Sequence, residues 1–146
     1  MNERQIQKEL KTYFEKYGPA KAVINNIYWF ESEADSMVIT VANILIECEI
    51  KRDLQDFRHD FKKEKHDLMR SLYDTSIIPN FFYFVCPEGL IPTNQIPEYA
   101  GLIYIMKLKN SIGYYAKRII TAPILHKEQI PPKQWEKLAM KLYHRL

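Results

Sequence analysis

The run Asn43-Ile44-Leu45-Ile46-Glu47-Cys48-Glu49-Ile50-Lys51 alternates with a period of two. Successive side chains of a β-strand point to opposite faces. Ile44, Ile46, Cys48 and Ile50 therefore share one apolar face, and Leu45, Glu47, Glu49 and Lys51 share the other. A strand with one wholly apolar face belongs to a sheet that is covered on that side. The opposite face ends in three charges, and Glu49 and Lys51 emerge side by side.

The residues before this run read as two more strands, Ala22 to Phe30 and Ser36 to Val41. The link Ala42-Asn43 is short enough for a hairpin. Such a hairpin puts Asp35 opposite the region of Glu49 to Lys51. Upstream, Asn2 with Gln5 forms a helix-capping pair. Ile6, Leu10, Tyr13, Phe14 and Tyr17 then follow at helical spacing until Gly18-Pro19. Downstream, Asp53 caps a long helix to about Leu72, with Leu54, Phe57, Phe61, Leu68 and Leu72 on its apolar stripe. Asn80 to Cys86 is a dense apolar run, the pattern of a buried central strand. Pro92 to Pro97 is a loop. Gly101 to Leu108 and Tyr114 to Ile120 are two further strands around a turn at Asn110 and Gly113, and Pro131-Pro132 opens a last helix. The order is αβββαβ followed by ββα. It predicts one α/β domain over residues 1–146, a mixed central sheet flanked by helices.

Composition is consistent with this. The chain is 47% hydrophobic and 13% aromatic, enough to bury a core. The segment from Lys107 to Leu146 holds nine Lys/Arg and two Asp/Glu, while the rest of the chain is net acidic. A basic C-terminal part beside an acidic centre suits a polyanion, and equally suits plain unevenness of surface charge. Cys48 and Cys86 lie in apolar runs outside any CxxC or Cys/His cluster, which speaks against zinc and against a disulfide framework. The N-terminus is polar, and no stretch approaches a membrane span. These features predict a cytoplasmic protein with no membrane partner. A homodimer is the base-rate expectation for an oligomer.

Asp35, Glu49 and Lys51 carry the chemistry. Two carboxylates can hold Mg²⁺ or Mn²⁺, a hard cation that keeps several waters and accepts a phosphate oxygen. A lysine beside them can orient water and stabilise charge on phosphate. The competing reading is a solvated strand face with a cross-strand ion pair, worth under about 1 kcal/mol. There is no P-loop, GxGxxG or HExxH. Phe81, Phe82, Tyr83 and Phe84 alternate faces and are mostly core.

Asp35, then Glu49-Ile50-Lys51, then a helix and an apolar strand resemble the PD-(D/E)xK nuclease superfamily. The stretch from Glu47 to Asp53, continuing from Asp56 to Lys63, is similar to a narrower subset of small phage-type or mobile-element proteins and bacterial DNA-repair proteins of the MmcB kind. The similarity spans Phe30 to Ile105. It implies a restriction-endonuclease-like fold and a metal-dependent nuclease that hydrolyses DNA phosphodiester bonds. The alternative is a non-catalytic nucleic-acid-binding module on the same fold. Carried over, the resemblance makes Asp35 and Glu49 ligands of Mg²⁺ or Mn²⁺, the Ile50 carbonyl a further ligand, and Lys51 the catalytic lysine. A first-helix glutamate joins many such sites. Glu9 is the candidate here, with Glu3 and Glu15 as rivals. Ala34 stands where the motif has proline, and Glu33 is the fallback for Asp35. On the helix after Lys51, the expected DNA contacts are Lys63, His66, Arg52 and Lys62.

Overall fold

The structure, a computed structural model, describes residues 1–29, 32–72, 74–75 and 78–145. Phe30, the expected end of the first strand, lies outside the described residues. Helix α1 (Glu3–Tyr17) starts at the anticipated capping box. The Asn2 side chain accepts from Gln5 N at 2.9 Å, and the Gln5 side chain accepts from Asn2 N at 2.8 Å. Strands β1 (Ala20–Trp29), β2 (Ser32–Thr40) and β3 (Leu45–Ile50) form an antiparallel meander. Helices α2 (Leu54–Asp60) and α3 (Glu64–Ser71) cross over to β4 (Phe81–Pro87), which lies parallel to β3. Parallel neighbours need a crossover of this length. Strand β5 (Gly101–Lys107) runs parallel to β4, and β6 (Tyr114–Ile120) returns antiparallel. Helix α4 (Pro132–Tyr143) closes the described chain. The six strands form one mixed sheet in sequence order. No helix among the described residues is long and apolar enough to cross a membrane.

The alternation read in β3 sorts the two faces. Ile46, Cys48 and Ile50 join Val38, Tyr83, Val85, Ile103 and Ile105 beneath Ile6, Leu10 and Phe14 of α1. On the other face, Phe57 of α2 and Met69 of α3 cover Phe82, Phe84 and Leu102. Leu138 of α4 covers Met37, Ile39 and Leu45 on the β2–β3 side. Glu47, Glu49 and Lys51 project between these two apolar clusters.

One expectation needs correction. The long helix from Asp53 to Leu72 is two helices, broken at residues 61–63. Lys63 is extended there, at φ −73° and ψ 139°. Neither glycine nor proline marks the break. Its cause is tertiary: Asp60, the last residue of α2, is buried against Lys51 of the sheet. Asp53 caps α2 as anticipated, accepting from Asp56 N at 2.7 Å.

Asn80 pins the start of β4 to the chain that follows β6. Its Oδ1 accepts from Leu45 N at 2.8 Å, and its Nδ2 donates to the carbonyls of His126 and Glu128 at 2.9 and 2.8 Å. An Asn80→Ala variant leaves the buried Leu45 N–H without its partner and removes two part-buried bonds to carbonyls that water can reach. It should lose about 1–3 kcal/mol in urea denaturation, the cost of orphaning one buried polar group. A loss below 1 kcal/mol in that melt contradicts this accounting.

Candidate functional site

The β2–β3 register pairs Ser36 with Cys48 and Met37 with Glu47. Continued by one residue, it sets Asp35 beside Glu49. The end of the pairing is fastened by a side chain, since Ile50 N donates to Asp35 Oδ2 at 2.7 Å. Gln7 of α1 holds the same corner from the other side. Its Nε2 donates to the Asp35 carbonyl at 2.9 Å and to Asn26 Oδ1 at 3.1 Å. Burial and the charge of Glu49 push the Asp35 carboxyl up to about 7, against the stabilising bond from Ile50. Among the described residues, no lysine or arginine lies within ion-pair distance of Asp35. Two carboxylates thus face a shared space that one of them, unaided, resists charging.

Around Glu49 the charges alternate. Lys51 is 3% exposed; its Nζ sits 2.8 Å from Asp60 Oδ1 and 3.6 Å from Glu49 Oε1. Lys63 bridges the same two acids, at 3.2 Å from Glu49 and 2.8 Å from Asp60. Lys65 bridges Glu49 at 2.7 Å and Glu47 at 3.1 Å. The far oxygen of Asp60 meets His66 Nε2, and His66 Nδ1 meets the Tyr99 hydroxyl at 2.7 Å. His66 also lies flat over Phe84, ring planes 6° apart. Burial alone raises an aspartate, yet bonds from His66, Lys51 and Lys63 together hold the Asp60 carboxyl far below its usual range. Burial alone lowers a lysine, yet Glu47 and Glu49 outweigh it and raise Lys65. Burial raises Glu47.

The structure therefore brings Asp35, Glu49, Ile50 and Lys51 to one sheet end and leaves other expected residues elsewhere. Glu9 is misplaced. Gln7 marks the helix face turned to Asp35, and two residues further round an α-helix is about 200° away. Glu3, four residues before Gln7, stands on that face, and its charge acts on Asp35. Glu15 is exposed and pairs with Lys11 at 3.8 Å. Glu33 is exposed at the edge of a neighbouring groove. His66, expected to contact DNA, is fully buried and belongs to the inner network. Lys63, Lys62 and Arg52 do lie at the surface. The partners that sequence reasoning missed are Asp60, Lys65 and Tyr99. Asp60 and His66 are six apart, a spacing that matches no helical face, so only the break between α2 and α3 lets them meet.

The donors at this corner suit a hard cation that keeps much of its water. Asp35, Glu49 and the Ile50 carbonyl supply oxygen only, and the repulsion between the two carboxylates is what a divalent ion relieves. No group of three or more His, Cys, Asp or Glu residues among the described ones is arranged to hold a metal ion.

Fold and site together define an α/β protein with a six-stranded mixed sheet and a carboxylate–lysine cluster where β2 and β3 end. Among solved structures, the chain is similar to a protein of unknown function from Silicibacter pomeroyi. The TM-score is 0.68 at 13% identity, over 99% of this chain and 86% of that one. At that identity the likeness shows a shared fold. No family model and no curated protein matches the chain.

Proposed function

We propose that the protein is a metal-dependent nuclease with a restriction-endonuclease-like core that hydrolyses DNA phosphodiester bonds. The observation that carries this reading is the Asp35–Glu49 pair: two oxygen donors on adjacent strand ends, with Asp35 lacking a cationic partner among the described residues and pushed up to about 7. Asp35, Glu49 and the Ile50 carbonyl would hold Mg²⁺ or Mn²⁺. That ion, when bound, polarises the phosphate and makes its water more acidic. Lys51, 3.6 Å from Glu49, orients the attacking water and offsets charge gathering on the phosphate. Asp60 anchors the ammonium that does so.

Incubation of single-stranded, duplex and branched DNA with Mn²⁺ tests the reading. The wild type should cleave at least one of them. Glu49→Gln, whose amide oxygen can still accept from a lysine, should lose about a hundredfold or more in rate with its fold checked by circular dichroism. If the wild type binds DNA yet cuts nothing with any divalent metal, the enzymatic reading fails. The second reading, a non-catalytic nucleic-acid-binding module, is then favoured. It draws on a specific observation: both Glu49 oxygens are engaged by lysines, and Lys51 is engaged by Asp60.

A further inference from the structure

The sheet face that carries α1 holds a slot at the end opposite Asp35 and Glu49. The alternation that turns Ile44 and Ile46 to this face also turns Thr40, Phe81 and Tyr83 to it, and all five line the slot. On β6, Arg118 pairs with Ile103 of the core beneath α1, so its side chain leaves the same face. The last turn of α1, ending at Tyr17, walls one side. The volume is about 430 Å³, within the range of small-molecule sites. The lining runs from Thr40 and Val41 at the end of β2, over β3 and β4, to Arg118 on β6. Four strand spacings of about 4.8 Å make that roughly 19 Å. Tyr17 and Val41 are each 64% exposed at its mouth.

Three polar groups meet at the β6 end. Among the described residues, Arg118 makes no ion pair or hydrogen bond, and no Asp or Glu lines the slot. Burial raises the Tyr13 hydroxyl and the charge of Arg118 lowers it, so the guanidinium is near enough to act on that ring. Tyr83 is 5% exposed, and its hydroxyl accepts from Ala122 N at 3.2 Å. Neither tyrosine hydroxyl donates to any group among the described residues.

We propose that this slot binds an unbranched medium-chain carboxylic acid, its carboxylate on Arg118 and its acyl chain laid over Phe81 and Ile46 toward Val41. An unpaired cation beside hydroxyls with protons to give selects an anion, and the arginine fork fits the two oxygens of a carboxylate. The walls beyond it are apolar and would leave a second charge unanswered, so the anion carries one. The length of the slot favours an extended chain over a compact ring. The polarity of α1 sets the direction. Its negative end lies at Tyr17 and Gly18, and Val41 N is bonded to the Pro19 carbonyl there at 3.1 Å. The acid head therefore belongs at the other end, with Arg118. The slot shares no residue with the Asp35–Glu49 cluster, so its occupancy is independent of the nuclease reading.

Isothermal titration calorimetry with sodium decanoate, kept below its micellar concentration, reads the binding directly. One equivalent should bind. From hexanoate to decanoate, each added methylene should tighten binding about threefold, the effect of burying one more CH₂. Decanol, with the same chain and no charge, should bind about tenfold more weakly or worse. Arg118→Gln should bring decanoate down to the affinity of decanol and leave decanol unchanged. Lys117→Gln removes the same charge from the opposite face of β6, where Lys117 pairs with Tyr104, and should change nothing. Glu49→Gln should bind decanoate as the wild type does. No saturable binding, or an affinity indifferent to chain length, overturns the apolar seat. Decanoate binding unchanged in Arg118→Gln, or weakened equally in Lys117→Gln, overturns the carboxylate site.

Discussion

An Asp60→Leu variant will lose about 3–5 kcal/mol of folding stability, the range seen when one member of a buried charge pair is removed. Asp60 is 2% exposed and receives Lys51 and Lys63 at 2.8 Å each, together with His66. Without it, the Lys51 ammonium stays buried with only Glu49 at 3.6 Å and Asp56 at 3.7 Å to answer its charge. The penalty is the unpaired charge rather than the lost packing, so a double variant separates the two. Lys51→Met combined with Asp60→Leu should recover most of the loss, because a buried ion pair replaced by apolar side chains of similar size is often neutral. The sign with pH follows from the lowered Asp60 carboxyl. A depressed folded-state value stabilises above the unfolded value of about 3.9 and is lost as pH falls below it. Wild-type urea midpoints should therefore drop steeply below about pH 4, and the Asp60→Leu variant should show a shallower acid limb. A single variant as stable as the wild type at pH 7 would show that the cluster contributes nothing to stability, and a double variant no better than the single would show that the loss does not come from the unpaired Lys51 charge.

The sheet was legible because its signals are local. Alternation in residues 43–51 assigned both faces of β3, and Asn2 with Gln5 marked the start of α1 in a pattern that needs only four residues. Strand β6 begins and ends at Tyr114 and Ile120 as anticipated. That Asp35 falls near the region of Glu49 to Lys51 was legible too, since a short turn fixes hairpin register, although the loop is residues 41–43 rather than the two-residue link Ala42-Asn43. The interior of the site was not. Glu47, Glu49 and Lys51 look like a solvated face in one dimension, because nothing in the strand says that α2 and α3 will cover it. The apolar stripe Leu54, Phe57, Phe61 and Leu68 runs through the break at residues 61–63, so periodicity alone joins two helices into one. That false continuity turned His66 outward in the sequence reading. In the structure the break swings it beneath Tyr99 and onto Asp60.

Asp35→Asn will make the metal-free protein more stable at pH 8 and will take away its stabilisation by Mn²⁺. The amide oxygen of asparagine can still accept from Ile50 N, so the 2.7 Å bond that closes the strand end survives the change. What disappears is a negative charge that Glu49 and burial oppose. The Asp35 carboxyl titrates at about 7 in the folded protein, against about 3.9 unfolded. A raised folded-state value contributes stability in full below the lower figure, and that stability drains away as pH rises through the higher one. Three pH units correspond to at most about 4 kcal/mol; partial exposure of the carboxyl screens this to roughly 2 kcal/mol. At pH 4 the two proteins should melt within a degree or two of each other, and at pH 8 the asparagine variant should melt several degrees higher. Mn²⁺ should invert the order. At a hundred times its dissociation constant, a cation bound only by the folded state adds about 2.7 kcal/mol, and only the wild type has both carboxylates to bind it. Thermal melts at the two pH values, with and without MnCl₂, read all four conditions. If Mn²⁺ lifts both proteins equally, the cation is held somewhere other than between Asp35 and Glu49. If the asparagine variant is the less stable at pH 8 without metal, Asp35 is a structural anchor rather than a charge held in wait for a cation.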